Sequence, residues 1–304
     1  MSYGRIKDML RRGEVIILDG GTGTDIQRRG APMSGDTWCA DANLTHGDIV
    51  QAVHADYVAA GADIVTANTY ATSPLLFTHI GRAAEVPRID KIAVQYARDA
   101  AKDSGVCVAG SMSTMRPMQS GSDRNNLAHH WDEEESRALF TMKADGLKAA
   151  GVDLIMMEMM RDTDYAVYAS EAALATGLPV WIGLSAEKGE DGELQGWGRP
   201  DCRFDDIARR LAALQPDCVC IMHTSPNDTD EAIKILKQHW HGPIGVYPES
   251  GYFKSPDWEF VDVIPPAELV AASKRWQGLG ATAFGGCCGI GPEHIAVLAK
   301  EMRK

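Results

Sequence analysis

Ala150-Gly151-Val152-Asp153-Leu154-Ile155-Met156-Met157-Glu158 shows most plainly how helix gives way to strand in this chain. An amphipathic stretch over Trp131–Ala150 ends at a glycine, which takes a left-handed helix cap without a Cβ clash. A short apolar run follows, the pattern of a parallel strand covered by helices on its outer face. It ends on a carboxylate, and a second helical stretch over Asp164–Thr176 follows.

Working outward, the same strand-then-helix unit occurs eight times. Strands are expected near Val15–Leu18, Asp63–Ala67, Val106–Gly110, Leu154–Glu158, Val180–Leu184, Cys218–Met222, Ile244–Tyr247 and Thr282–Gly285. Helices are expected near Leu44–Ala60, Arg82–Asp103, Trp131–Ala150, Asp164–Thr176, Phe204–Leu214, Thr229–His239, Pro266–Leu279 and Pro292–Glu301. Eight such units in 304 residues match an α/β (β/α)8 TIM barrel, one domain over residues 1–304 with no composition shift to divide it. Periodicity does not show closure, so an open doubly wound sheet fits the same pattern. The connections leaving strands are long (Gly110 to Trp131, Ser185 to Cys202, Pro248 to Pro265), whereas those returning from helices are short and marked by Gly61, Gly151 or Gly280. Function is therefore expected at the carboxyl ends of the strands.

Composition excludes several classes. A formal charge of −12 without a basic cluster argues against nucleic acid or an anionic membrane as partner. No apolar run is long enough to cross a bilayer, and no amino-terminal signal segment is evident, so a cytoplasmic location is expected. Seven irregularly spaced cysteines do not read as a secreted disulfide framework.

Chemistry is concentrated at Ala283-Phe284-Gly285-Gly286-Cys287-Cys288-Gly289, followed by Pro292-Glu293-His294-Ile295. Adjacent thiols do not readily close a disulfide on each other, but both can turn toward one soft metal at a strand end, with zinc first among candidates. An apolar strand, Gly-Gly, two thiols and a Pro-started helix resemble the carboxyl end of the zinc-dependent homocysteine S-methyltransferases. Other stretches extend the resemblance nearly end to end: Ile17-Leu18-Asp19-Gly20-Gly21-Thr22-Gly23-Thr24, Gly61 to Tyr70, Gly151 to Glu158, and Tyr247-Pro248-Glu249-Ser250-Gly251.

The resemblance implies methyl transfer from an S-methyl sulfonium or a betaine to homocysteine, giving methionine. It implies a Zn2+ site of His223, Cys287 and Cys288, with His223 standing where the family carries its third zinc cysteine. Cys220 is a substitute that strand alternation sends to the other side. Asp19, Gly20 and Glu158 match positions that hold the amino-acid end of homocysteine. Trp38 and Tyr70 match aromatic faces around an onium donor, and Met159 stands where betaine-using members place a further tyrosine. Met112, Met115, Met118, Met159 and Met160 are read as a polarizable lining. Glu249 replaces the family's usual asparagine. No catalytic residue is implied beyond the zinc-activated substrate thiolate, and a homo-oligomer is compatible with the chain. The departures at His223, Met159 and Glu249 keep a second enzyme in view, one using another donor or acceptor, with a separate corrinoid protein among the candidates. A metal-free binding or regulatory barrel is the alternative from another class. Gly20-Gly21-Thr22-Gly23 is not a phosphate loop, since the Lys-Ser/Thr ending is missing.

Overall fold

The computed structural model describes residues 2–119, 122, 124–254 and 259–304. Its main sheet has eight strands: β1 (Ile16–Ile17), β2 (Ile64–Ala67), β3 (Cys107–Ser113), β4 (Leu154–Met160), β5 (Val180–Leu184), β6 (Cys218–Met222), β7 (Ile244–Tyr247) and β8 (Ala283–Phe284). The order is β1-β8-β7-β6-β5-β4-β3-β2, and the pairings within the sheet are parallel. A parallel bridge between Leu18 and Ile64 joins the first and last strands and closes the ring. The TIM barrel expectation holds, and the open sheet is excluded.

Short-range chemistry explains the register. Gly151, at φ 89°, caps the helix Glu133–Ala150, whose start is capped by Asp132 Oδ1 accepting from Glu135 N at 2.8 Å. Two residues on, Asp153 Oδ2 accepts from Val108 N at 2.8 Å, locking β4 to β3. Asp63 does the same for Ile17 N at 2.9 Å, and Asp217 for Val180 N at 3.0 Å. The acid that opens each of these strands thus ties it to its predecessor.

Alternation then divides the core. Cys218, Cys220 and Met222 face the barrel interior with Trp181, while Val219 and Ile221 pack outward with the covering helices. The helix Ser2–Arg12 lies outside the predicted set. It joins Tyr3 and Ile6 to the interior cluster, where Trp181 Nε1 donates to the Tyr3 hydroxyl at 3.1 Å.

The long connections carry structure of their own. A three-stranded antiparallel sheet (Ala186–Lys188, Leu194–Gly196, Arg199–Arg203) follows β5, and a hairpin (Tyr252–Lys254 with Glu259–Val261) follows β7. The stretch expected as one helix over Leu44–Ala60 is two, Ala42–Thr45 and Gly47–Ala59, parted at His46. Among the described residues no helix is long and apolar enough to cross a membrane.

Candidate active site

At the carboxyl ends of the strands lies a cavity of about 1040 Å3, counting its open mouth, and every predicted site residue lines it: Asp19, Gly20, Trp38, Tyr70, Glu158, Met159, His223, Cys287 and Cys288. Three of the six non-glycine residues with positive φ among the described residues are in that lining: Trp38 (47°), Met159 (59°) and His223 (44°). Such backbone costs energy and is concentrated where side chains must be aimed.

For His223 the consequence is direct. Strict alternation after Met222 turns residue 223 outward, but the left-handed backbone swings its ring back over the mouth. Cys220 consequently stays out of the group for a reason other than alternation: it points inward too, deeper in the barrel, with its sulfur 3.8 Å from that of Cys218. Met159 produces a similar irregularity, since the β4–β5 register shifts between Met157 and Met160.

His223, Cys287 and Cys288 form a group able to hold a metal ion, their ligand atoms all within 4.8 Å of one another. Cys287 Sγ is 3.5 Å from His223 Nδ1 and 3.9 Å from Cys288 Sγ. The exit of β7 fastens the group together through the backbone. Tyr247 O accepts from His223 N at 3.2 Å, Pro248 O accepts from Cys287 N at 2.8 Å, and Ser250 N donates to Cys288 O at 3.0 Å. Burial, with the nearby positive charge of Arg161, pushes His223 down to about 3, so the ring is neutral. The neighbouring Cys288 thiol, together with burial, drives Cys287 well above its ordinary range. Ionising Cys287 at neutral pH therefore calls for a cation beside its sulfur.

The carboxylates stand on the other side of the mouth. Asp19, after β1, accepts from Thr66 N at 2.6 Å and from the Thr66 hydroxyl at 3.1 Å. Burial raises it to about 7, and the nearby Glu158 charge adds to the rise. Glu158, in β4, accepts from the Ser111 hydroxyl and is likewise raised to about 7 by burial. Neither has an arginine or lysine partner among the described residues, so an arriving ammonium would favour the ionised form of both.

The glycines, which line the cavity, also serve a packing contact. A Cβ on Gly20 would lie 2.3 Å from the carbonyl oxygen of Ile290, and one on Gly21 would lie 2.6 Å from that of Cys287. Their bareness lets the first loop press against the cysteine loop, and the Gly21 amide already donates to Ile290 O at 2.9 Å.

On the aromatic side of the cavity, Trp38 and Tyr70 meet edge to face with centroids 5.8 Å apart. Of the predicted methionine lining, Met115, Met118 and Met159 reach the cavity, joined by Met156 and Met222. Met112 and Met160 do not. They pack in the outer core with the covering helices, Met112 by strand alternation and Met160 because the irregularity at Met159 shifts its register outward. Sequence reading missed Trp197, Tyr247 and Phe260, which also line the cavity. Trp197 and Phe260 arrive on the small sheet and the hairpin, which no strand-then-helix count anticipates. It also missed Arg161, which is 3% exposed and lies 5.6 Å from the Trp197 ring centre. Its guanidinium makes no hydrogen bond or ion pair among the described residues.

The model of the family described as homocysteine S-methyltransferase matches residues 16–302. The chain belongs to the homocysteine S-methyltransferase family. Members of this family are methyltransferases, and homocysteine is the methyl acceptor they share. The chain is 29% identical to homocysteine S-methyltransferase YbgG of Bacillus subtilis, over 98% of each chain. It is 24% identical to betaine–homocysteine S-methyltransferase 1 of Rattus norvegicus, over 98% of this chain and 74% of that one. The crystal structure of the metallated homocysteine methyltransferase MmuM from Escherichia coli has the same fold, with a TM-score of 0.78 at 24% identity over 96% of this chain and 98% of that one.

Proposed function

We propose that this homocysteine S-methyltransferase family member binds zinc through His223, Cys287 and Cys288, and transfers methyl from a sulfonium or betaine donor to homocysteine, forming methionine. The observation that carries the reading is the meeting of those three side chains with Asp19 and Glu158 around one cavity.

The donor set suits zinc. Tetrahedral zinc with ordinary bond lengths separates two sulfurs by about 3.8 Å and sulfur from nitrogen by about 3.6 Å. The corresponding separations here are 3.9 Å and 3.5 Å. Zinc bound there would supply a metal-held thiolate at neutral pH, with the homocysteine sulfur in the open fourth position.

The remaining work falls to the chain. Asp19 and Glu158 bind the homocysteine ammonium and so fix where its sulfur lies. Their raised carboxyls become ionised when that cation arrives. Trp38 and Tyr70 hold the cationic centre of the donor against their faces, and Met159 replaces a polar hydroxyl with a polarizable sulfur. Arg161 places an unpaired positive charge beside the aromatic wall, suited to a carboxylate on the donor. The sulfur of homocysteine attacks the methyl carbon while the donor's bond to that carbon breaks, and the electron pair of that bond stays on the donor's sulfur or nitrogen and cancels its positive charge. In-line alignment inside a largely apolar cavity contributes more than acid-base chemistry. We place the activity in the cytoplasm and read residues 1–304 as one domain.

The test supplies zinc-loaded protein with homocysteine and, in turn, S-methylmethionine, glycine betaine and dimethylsulfoniopropionate, and measures methionine. Product with at least one donor is expected. No methionine with any of them would overturn the assignment.

A further inference from the structure

Two of the three departures from the family pattern, His223 and Glu249, meet in the fold. Nε2 of His223 lies 3.0 Å from Glu249 Oε2, while Nδ1 of the same ring faces Cys287. The ring is buried, and Nε2 has no aligned hydrogen bond among the described residues, so it is a buried donor with a carboxylate within reach. A small rotation of ring or carboxylate completes the bond. Glu249 is no loosely attached surface acid. Its flanking residues are the ones whose backbone grips the three ligands: Tyr247 and Pro248 accept from His223 N and Cys287 N, and Ser250 donates to Cys288 O.

We propose that Glu249 is a positioning residue for the metal centre. It accepts from Nε2–H of His223, which fixes the tautomer whose Nδ1 lone pair points between the two sulfurs, and it places a negative charge behind the ring. Histidine ligands are ordinarily oriented in this way through their second nitrogen, and the partner makes the ring a better donor. Charge explains why the two departures belong together. Two thiolates only neutralise a divalent cation, whereas a third cysteine would leave the centre negative. Exchanging that cysteine for a neutral imidazole loses one negative charge, and a glutamate at Nε2 returns it at one remove. A thiolate ligand needs no such partner. This inference rests on the proposed role of His223 as a ligand.

Chelator competition on the zinc-loaded full chain tests it without recourse to turnover. Glu249→Ala should weaken zinc binding about 10- to 100-fold, and Glu249→Gln less, because an amide oxygen still accepts from the ring. In a His223→Cys background the same Glu249→Ala change should alter zinc affinity by no more than about twofold, since there is no ring left to hold. Cobalt-substituted Glu249→Ala protein should show a shifted visible spectrum with an unchanged thermal melt. Wild-type zinc affinity in Glu249→Ala, or an equal loss in the His223→Cys background, would overturn the inference. Undiminished zinc binding by His223→Ala would instead remove His223 from the metal and overturn the reading beneath it.

Discussion

The loop that carries Tyr70 into the cavity is supported from below by a buried ion pair, and breaking that pair gives a quantitative test of the architecture. Lys143 and Asp90, on neighbouring covering helices, have side chains 0% and 1% exposed. Lys143 Nζ donates to Asp90 at 2.7 and 2.8 Å, to the Thr72 hydroxyl at 2.6 Å and to Thr69 O at 3.1 Å. Burial pushes Asp90 up and Lys143 down, and each charge opposes the shift of the other. Lys143→Met retains the length of the chain but leaves Asp90 buried without a counter-charge, at a cost of about 3–5 kcal/mol. At about 2.1 cal/mol/K per residue, a chain of 304 residues should then melt about 5–8 °C lower. Because Thr69 and Thr72 bracket Tyr70, the donor's KM should rise as well. Adding Asp90→Leu removes the orphaned charge and should restore more than half of the loss. Thermal melts and denaturant titrations of wild type, single and double variants measure all three states. A cost below about 1 kcal/mol for Lys143→Met, or a double variant no more stable than the single, would refute the reasoning.

Other outcomes follow from the site. Glu158→Gln should raise the KM for homocysteine roughly ten- to a hundredfold with less effect on the donor, because one charge-assisted bond to the ammonium is lost. Initial rates against each substrate check this. Cys288→Ala should leave the folded protein without stoichiometric zinc, as read by elemental analysis under reducing conditions. His54 is buried with no hydrogen bond to either ring nitrogen among the described residues, and burial lowers it to about 4. Its folded value is depressed, so the unfolded chain takes up the proton first and stability is lost as pH falls below about 6.5. Wild type should lose about 2 kcal/mol more than His54→Leu between pH 8 and pH 5, as measured by denaturant titrations.

Much of this was legible because the barrel writes itself locally. Each of the eight strands lies within or overlaps its expected run, since a short apolar segment between amphipathic helices has few other ways to be buried. Leu279-Gly280 and Ala150-Gly151 marked helix ends for a plain steric reason. The helix Ser2–Arg12 was legible in principle, because Tyr3, Ile6 and Leu10 recur at helical spacing and pack into the interior. It precedes the first strand and belongs to no strand-then-helix unit, so the count of repeats does not include it. What sequence could not reveal was aim. Left-handed backbone at His223 and Met159 breaks alternation, and nothing in either residue type announces it. The meeting of His223 with Glu249 is equally tertiary, since 26 positions separate them along the chain. Trp197 reaches the cavity from the turn between two inserted strands and Phe260 from a third, and such short runs carry little periodic signal.

X-ray absorption at the zinc edge of the loaded protein, before and after homocysteine, reads the proposed ligand set of His223, Cys287 and Cys288 and its open position. Two sulfurs at about 2.3 Å and one imidazole nitrogen at about 2.0–2.1 Å are predicted in the free enzyme, with one further sulfur when homocysteine is added. A shell without the imidazole, or a sulfur count that homocysteine leaves unchanged, would contradict it.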